Sequence, residues 1–242
     1  MLRLPESIDN LSPEQLYEIY GQPNVEPIAR LDSKPLPEGA PTHGVVPVWL
    51  GKESELVTLS EARIFLTDFG ESFLPSTTPR HYSNTPAILV PPEVYFIPQK
   101  PLSFPTDIWT LACTLWSIIG QRPLFEGFNP SADWMIKENV DTIGKLPSEW
   151  WQKWDARLRW FSEEGRRNHG GVGRSLVERF NDSVHNPRQE YEMEDIEEDE
   201  KTALLAMLRA VLVFKPEGRL TAAEILETEW MQKWALPVLE KV

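Results

Sequence analysis

Asp68 stands in the run LTDFGE, residues 66–71, where a carboxylate closes a short apolar stretch and is followed at once by Phe69 and Gly70. A carboxylate is a hard oxygen donor, and at a strand-to-loop corner it can hold one side of a divalent cation. The same corner equally suits an Asp whose oxygens only accept backbone amides. The other reactive side chains are thinly spread. His43, His81, His169 and His185 lie more than five residues apart and Cys113 is the single cysteine, so no zinc-ligand spacing occurs. Gly170-Gly171-Val172-Gly173 follows no apolar strand and lacks a Lys-Ser/Thr ending. It reads as a flexible turn rather than a phosphate loop. Beyond Asp68, His81 and the hydroxyls of Ser76, Thr77, Thr78, Ser83 and Thr85 crowd one polar loop. They suit substrate contact or phosphate acceptance, and equally a plain solvated loop.

The elements that must position these groups are mostly helical. Residues 11–20 carry a complete start signal: Ser12 as cap, Pro13 in the first turn, Gln15 closing a capping box, then Gly21 as the stop. Residues 22–54 hold prolines at 23, 27, 35, 37, 41 and 47 and keep no amphipathic period, so they read as an extended arm with a short strand over 45–50. Residues 57–59 and 63–67 read as strands. The run PTDIWTLACTLWSIIG, residues 105–120, is apolar around nearly its whole circumference, which predicts a helix buried on all sides, with Asp107 in its first turn. Helices follow over 131–140, from a Ser148 cap through Trp150, Trp151, Trp154, Leu158 and Phe161, over 199–212, and over 221–230 with Thr221 and Glu224 as a capping box. Residues 162–198 are polar and acidic and read as a flexible insertion. The division is therefore an arm over 1–56, a mainly α domain over 57–235 with a few short strands, and a tail over 236–242.

Composition narrows the function classes. The 242 residues carry a net charge of −13, which argues against a surface that grips nucleic-acid phosphates. A basic partner fits that charge, and so does an acidic surface kept for solubility. Ten Trp imply large buried or groove-lining rings. One cysteine allows no intrachain disulfide and suits a reducing compartment. The start MLRLPESIDN lacks the apolar run of a signal peptide, and residues 108–119 are too short to span a bilayer. The expectation is a soluble protein of the cytoplasm, the nucleus or both, with no membrane contact and no direct nucleic-acid contact.

Asp68-Phe69-Gly70, Pro91-Pro92-Glu93, Asp107-Ile108-Trp109 and Arg219 in KPEGRLTAAEIL, in that order, resemble the C-terminal lobe of a eukaryotic-type protein kinase. More closely, the chain is similar to the fungal branch of the SR-protein kinase family, in which an inserted arm precedes the DFG strand. LSPEQLYEIYG, KPLPEG and VPVWLG match that arm. The resemblance implies ATP and Mg²⁺ as cofactors, with Asp68 holding the metal and Phe69 and Gly70 completing that corner. It implies Arg/Ser-rich protein segments as substrates, a structural pair between Glu93 and Arg219, and an Asp107 that the central helix presents to the catalytic loop.

The departures from that family are equally specific. The glycines before Asp68 (21, 39, 44 and 51) form no G-x-G-x-x-G, and Lys34 and Lys52, the lysines there, both lie in the arm. His43 is followed by Gly and Val, so no H-R-D catalytic loop is present. The expectation is an incomplete kinase fold that begins after the catalytic loop, with no catalytic base and no catalytic lysine. Phosphoryl transfer is mostly positioning and charge stabilisation, so such a chain alone should be inactive and bind ATP weakly. A non-catalytic module that docks basic peptides or a partner kinase is the alternative. In either case an apolar lobe face should be left open for a protein partner.

Overall fold

The computed structural model describes residues 6–48, 50–51, 56–62, 64–168 and 173–239. Among those residues it is mainly helical with a single two-stranded sheet, and the chain's contacts divide it into two compact units that part after Gly70. The sequence boundary at 56/57 falls inside the first unit.

In the first unit, α1 (Pro13–Tyr20) starts as its cap dictates. The Gln15 amide donates to Ser12 Oγ at 3.3 Å and the Ser12 amide to Gln15 Oε1 at 2.8 Å, while Gly21 at φ 84° ends the helix. The arm then does something its prolines hid. β1 (Val25–Pro27) pairs antiparallel with β2 (His43–Val45), Val25 opposite Val45, and the ladder is extended by Ile28 N–H to Thr42 O and Val46 N–H to Asn24 O. The strand expected over 45–50 is thus shifted toward the N-terminus, because its partner strand, rather than its own alternation, sets the register. Among the described residues, neither strand expected over 57–59 and 63–67 forms. Thr58 and Glu61 make a capping box that winds Leu59–Glu61 into a 3-10 turn, and of the second only Ile64 makes an isolated bridge. A Thr-x-x-Glu box offers the backbone a local alternative to a sheet ladder. None of the described side chains in this unit is fully buried.

The second unit holds the core. Its axis is α3 (Phe104–Ile119), which buries Ile108, Trp109, Ala112, Cys113 and Trp116. Around it pack α6 (Leu176–Phe180), α8 (Glu198–Val211) and α9 (Ala222–Leu226), whose Phe180, Leu204, Leu208 and Ile225 join the same cluster. A second cluster gathers Phe96 of α2 (Glu93–Phe96), Ile136 and Val140 of α4 (Ala132–Ile143), and the indoles of α5 (Ser148–Lys153). Trp150 stacks on Phe96 at 5.1 Å between centroids, and Trp151 and Trp154 meet edge to face at 5.9 Å.

Four expectations change here. First, α3 is not buried on all sides: Phe104 is 63%, Leu111 37% and Ile118 69% exposed, one stripe at seven-residue spacing. Secondly, Pro147 rather than Ser148 is the cap of α5. Thirdly, that helix stops at Lys153, and a 3-10 turn over Asp155–Arg159 breaks the 3.6-residue period and turns Leu158 to solvent. Finally, the segment 162–198, read as a flexible insertion, holds helices. Ser175 and Glu178 form a capping box for α6, the chain continues through a π turn (Asn181–His185) into α7 (Asn186–Glu190), and Leu176, Phe180 and Val184 enter the core. Those apolar residues at i, i+4 and i+8 were masked by the charged residues between them. The Gly170-Gly171 turn lies outside the described residues. Residues 236–242, expected to be a tail, begin with a short helix, α10 (Leu236–Leu239).

Phe180 separates the two readings of this segment. Phe180→Ala should lower stability by ~3–5 kcal/mol, as for any large ring removed from a core. Leu158→Ala should change it by no more than ~0.5 kcal/mol. Urea unfolding followed by Trp fluorescence measures both.

Candidate functional site

Arg219 follows a tight turn over Pro216–Gly218, and its own amide donates to Pro216 O at 3.2 Å. That turn aims the side chain inward, where it is 0% exposed. A guanidinium has five N–H donors in a fixed plane, and burying it demands a partner for each. All are met. Nε donates to Val213 O at 2.8 Å. Nη1 donates to Glu93 Oε1 and to Pro105 O, both at 2.8 Å. Nη2 donates to Glu93 Oε2 at 2.5 Å and to Phe214 O at 3.0 Å. The cation also lies 5.0 Å from the centroid of Trp109, which stacks on Phe125 at 5.5 Å. One side chain thus joins the start of α2, the start of α3 and the chain just after α8. Nearby, burial pushes the Cys113 thiol up to about 12, with Arg219 pulling the other way, so Cys113 is a core thiol without reactivity at neutral pH.

Asp107, in the first turn of α3, opens to solvent and has no hydrogen-bond or ion partner among the described residues. Partial desolvation raises its carboxyl above the ordinary range. It does not cap its own helix. That role falls to Ser103, whose amide donates to Thr106 Oγ1 at 3.4 Å.

Asp68 lies in the first unit, and Glu93, Asp107 and Arg219 lie in the second. Its backbone is left-handed at φ 65°, a conformation uncommon outside glycine but tolerated by Asp, and one that marks functional corners more often than chance. Phe69 and Gly70 continue into a 3-10 turn, Phe69–Glu71, and both are exposed. Among the described residues no three His, Cys, Asp or Glu side chains stand together as a metal site.

The polar loop that follows is tied at several points. Arg80 Nη1 donates to both Glu71 O and Glu71 Oε2 at 3.1 Å, and its guanidinium sits over the Phe73 ring at 5.0 Å. Arg80 O accepts from the Leu102 amide at 2.7 Å. Ser83 and Thr85 pair their hydroxyls at 2.5 Å. His81 lines a hollow of about 10 Å³ beside Glu93, room for no more than one water.

The sequence reading also missed a buried ion network. Glu138 takes Lys137 at 2.9 Å and Arg179 at 2.8 Å, and Asp141 takes Lys137 at 3.0 Å and also Arg167. Arg179 and Lys137 hold the Glu138 carboxyl below its ordinary range although burial opposes them. The i,i+4 spacing of Lys137 and Asp141 was the available signal. The partners Arg167 and Arg179 stand in the segment 162–198, which reads from the sequence as a flexible insertion.

Lysine cannot replace the fork of Arg219. It has three donors and would leave carbonyls at Val213, Phe214 or Pro105 without partners. Arg219→Lys should therefore destabilise by at least ~2 kcal/mol, within the range for buried groups left unsatisfied, whereas Arg122→Lys on the surface should be close to neutral. Denaturation midpoints compare the two.

Comparison with known proteins adds to this geometry. The family model for the protein kinase domain matches residues 52–231. Two curated relatives, serine/threonine protein kinases from two strains of Aspergillus fumigatus, are each 24% identical to the chain over 174 residues, 69% of this chain and 39% of theirs. The chain therefore spans about two fifths of the length of those relatives. The matched region takes in Asp68, Glu93, Asp107 and Arg219 together, and the chain belongs to the protein kinase domain family.

Proposed function

We propose that this chain is the C-terminal lobe of a serine/threonine protein kinase of the fungal SR-protein-kinase-like kind, acting on Arg/Ser-rich protein segments with ATP and Mg²⁺ as cofactors. The observation that carries this reading is the Arg219 node: it ties Glu93, at the close of the segment that follows Asp68-Phe69-Gly70, to the axis of a helical lobe. The family uses ATP and Mg²⁺. The net charge of −13 suits a basic substrate. The setting that goes with this reading is the cytoplasm or the nucleus, and no helix among the described residues is long and apolar enough to cross a membrane.

The residues present do not by themselves fit the metal and nucleotide. Asp68 supplies one exposed carboxylate, and among the described residues no three His, Cys, Asp or Glu side chains stand together as a metal site. The 242 residues contain no G-x-G-x-x-G and no H-R-D. No transfer step is therefore assigned to this chain alone. Its part in the reaction is to hold the segment after Asp68 and to offer a docking surface. A glycine-rich loop, a lysine and a base must come from elsewhere, in the same polypeptide or in a partner. The open stripe Phe104, Leu111 and Ile118, with the unpartnered Asp107 at its head, is the face on which such a structure would seat. The alternative, a docking module with no catalytic counterpart, rests on the same acidic surface.

The 242-residue chain incubated with labelled ATP, Mg²⁺ and an Arg/Ser peptide should transfer no phosphate. It should bind the peptide at low salt, lose it as salt screens the charges, and be indifferent to ATP. Turnover by the chain alone would overturn the assignment of catalysis to groups outside it. Absence of peptide binding at low salt would overturn the substrate class.

A further inference from the structure

The hairpin of β1 and β2 has no core beneath it. Val25 and Val45 are cross-strand partners, so both point to one face, and there they are 52% and 67% exposed. Ile28 lies against Gly44, and Ile28 and Val46 are exposed as well. Leu31 stands wholly in water, yet the turn that carries it is fixed. Arg30 Nε and Nη2 donate to the two Asp32 oxygens at 2.7 Å, and the Ser33 amide donates to Arg30 O at 3.0 Å with Ser33 left-handed at φ 58°. In the same unit α1 leaves Ile19 exposed.

A two-stranded hairpin is at best marginally stable in water, and a unit that fully buries none of its described side chains gains little from the hydrophobic effect. Its local instructions are nevertheless complete: the capping box of α1, the ladder with its two extensions, and the Arg30–Asp32 turn. Such a segment has a low ordering cost on binding and lacks only a surface to bury against.

Charge indicates what kind of surface that is. Residues 6–48 contain seven acidic and two basic residues. The two basic ones, Arg30 and Lys34, both stand on Asp32, at 2.7 and 3.9 Å. The carboxylates of Glu14, Glu18, Glu26 and Glu38 are left without a cation among the described residues.

We propose that the stretch from α1 through the hairpin, residues 12–46, is a docking arm for a protein surface that is apolar and basic together. The valine pair and Leu31 call for apolar cover, and the carboxylates around them call for cations. A second copy of the chain, itself at −13, supplies the first without the second. An Arg/Ser segment supplies the second without the first, so the proposal is independent of the substrate assignment above.

Amide hydrogen exchange on the full 242-residue chain tests it. In the free chain the amides of residues 24–46 should be protected less than about a hundredfold, and those of α3 and α8 far more, as core helices are. The probe is a short amphipathic Leu/Lys helix peptide. It should raise the protection of residues 24–46 at low salt by about tenfold or more, and lose that effect as salt screens the charges. A Leu/Glu peptide of the same length and an Arg/Ser peptide should leave these amides unchanged. Val25→Thr with Val45→Thr keeps the branched shape and strand preference of both sites, and should weaken the response to the probe by about fivefold or more. Glu18→Gln with Glu26→Gln should weaken it through charge alone. Strong protection of residues 24–46 in the free chain would reveal a core already in place and overturn the proposal. So would a Leu/Lys peptide that leaves them unprotected, an equal response to the Leu/Glu or the Arg/Ser peptide, or a response that either double variant retains in full.

Discussion

A buried guanidinium tolerates no half measures. With every N–H of Arg219 out of water, the chain must bring an acceptor to each, and three separate stretches do so: Glu93 from α2, Pro105 O from the start of α3, and Val213 O and Phe214 O from the turn after α8. Those stretches are far apart in sequence, so the node converts a local demand of hydrogen bonding into a long-range constraint. Trp109 completes it from below, giving the cation an aromatic face and carrying the constraint into the core through Phe125. Hydrophobic burial provides most of the driving force for this unit. The node restricts which compact arrangement that force selects, because a misplaced α2 would strand a buried charge.

The second buried network repeats the principle. Glu138 and Asp141 point from α4 into surroundings that would otherwise expel them, and Lys137, Arg167 and Arg179 make them tolerable. Arg179 also donates to Leu124 O and Arg174 O. The segment after α3, the helix α4 and the helix α6 are thereby locked together. This locking fixes the turn over residues 124–126 against α4 and α6.

Much of this was legible in the residues where local chemistry decides alone. The boxes Ser12–Gln15 and Thr221–Glu224 announced helix starts, and the structure forms both, because a cap is satisfied within one turn. Local chemistry also misled. Thr58–Glu61 is a box of the same kind inside a stretch read as strands, and it won. What could not be read was what depends on partners distant in sequence. The β1–β2 hairpin spans a proline-rich loop and has no alternating pattern of its own. The helices over 176–190 looked like a solvated insertion because their charges, Arg179 above all, find partners only on α4. The open stripe on α3 is the reverse case. The sequence is apolar there, and the described residues offer nothing to cover it. Of the site residues, Glu93 and Arg219 come together in the structure, Asp107 stands open, and Asp68 lies in the other unit.

The claim that the Arg219 node constrains the lobe is tested most directly by a double-mutant cycle in urea, with Glu93→Met, Arg219→Met and both together. Each single change strands a buried charge or its acceptors and should cost ~3–5 kcal/mol. The double variant strands neither charge and should cost clearly less than the sum, with a coupling of at least ~1.5 kcal/mol. Losses that simply add, within ~0.5 kcal/mol, would show two independent surface-like charges and contradict the account.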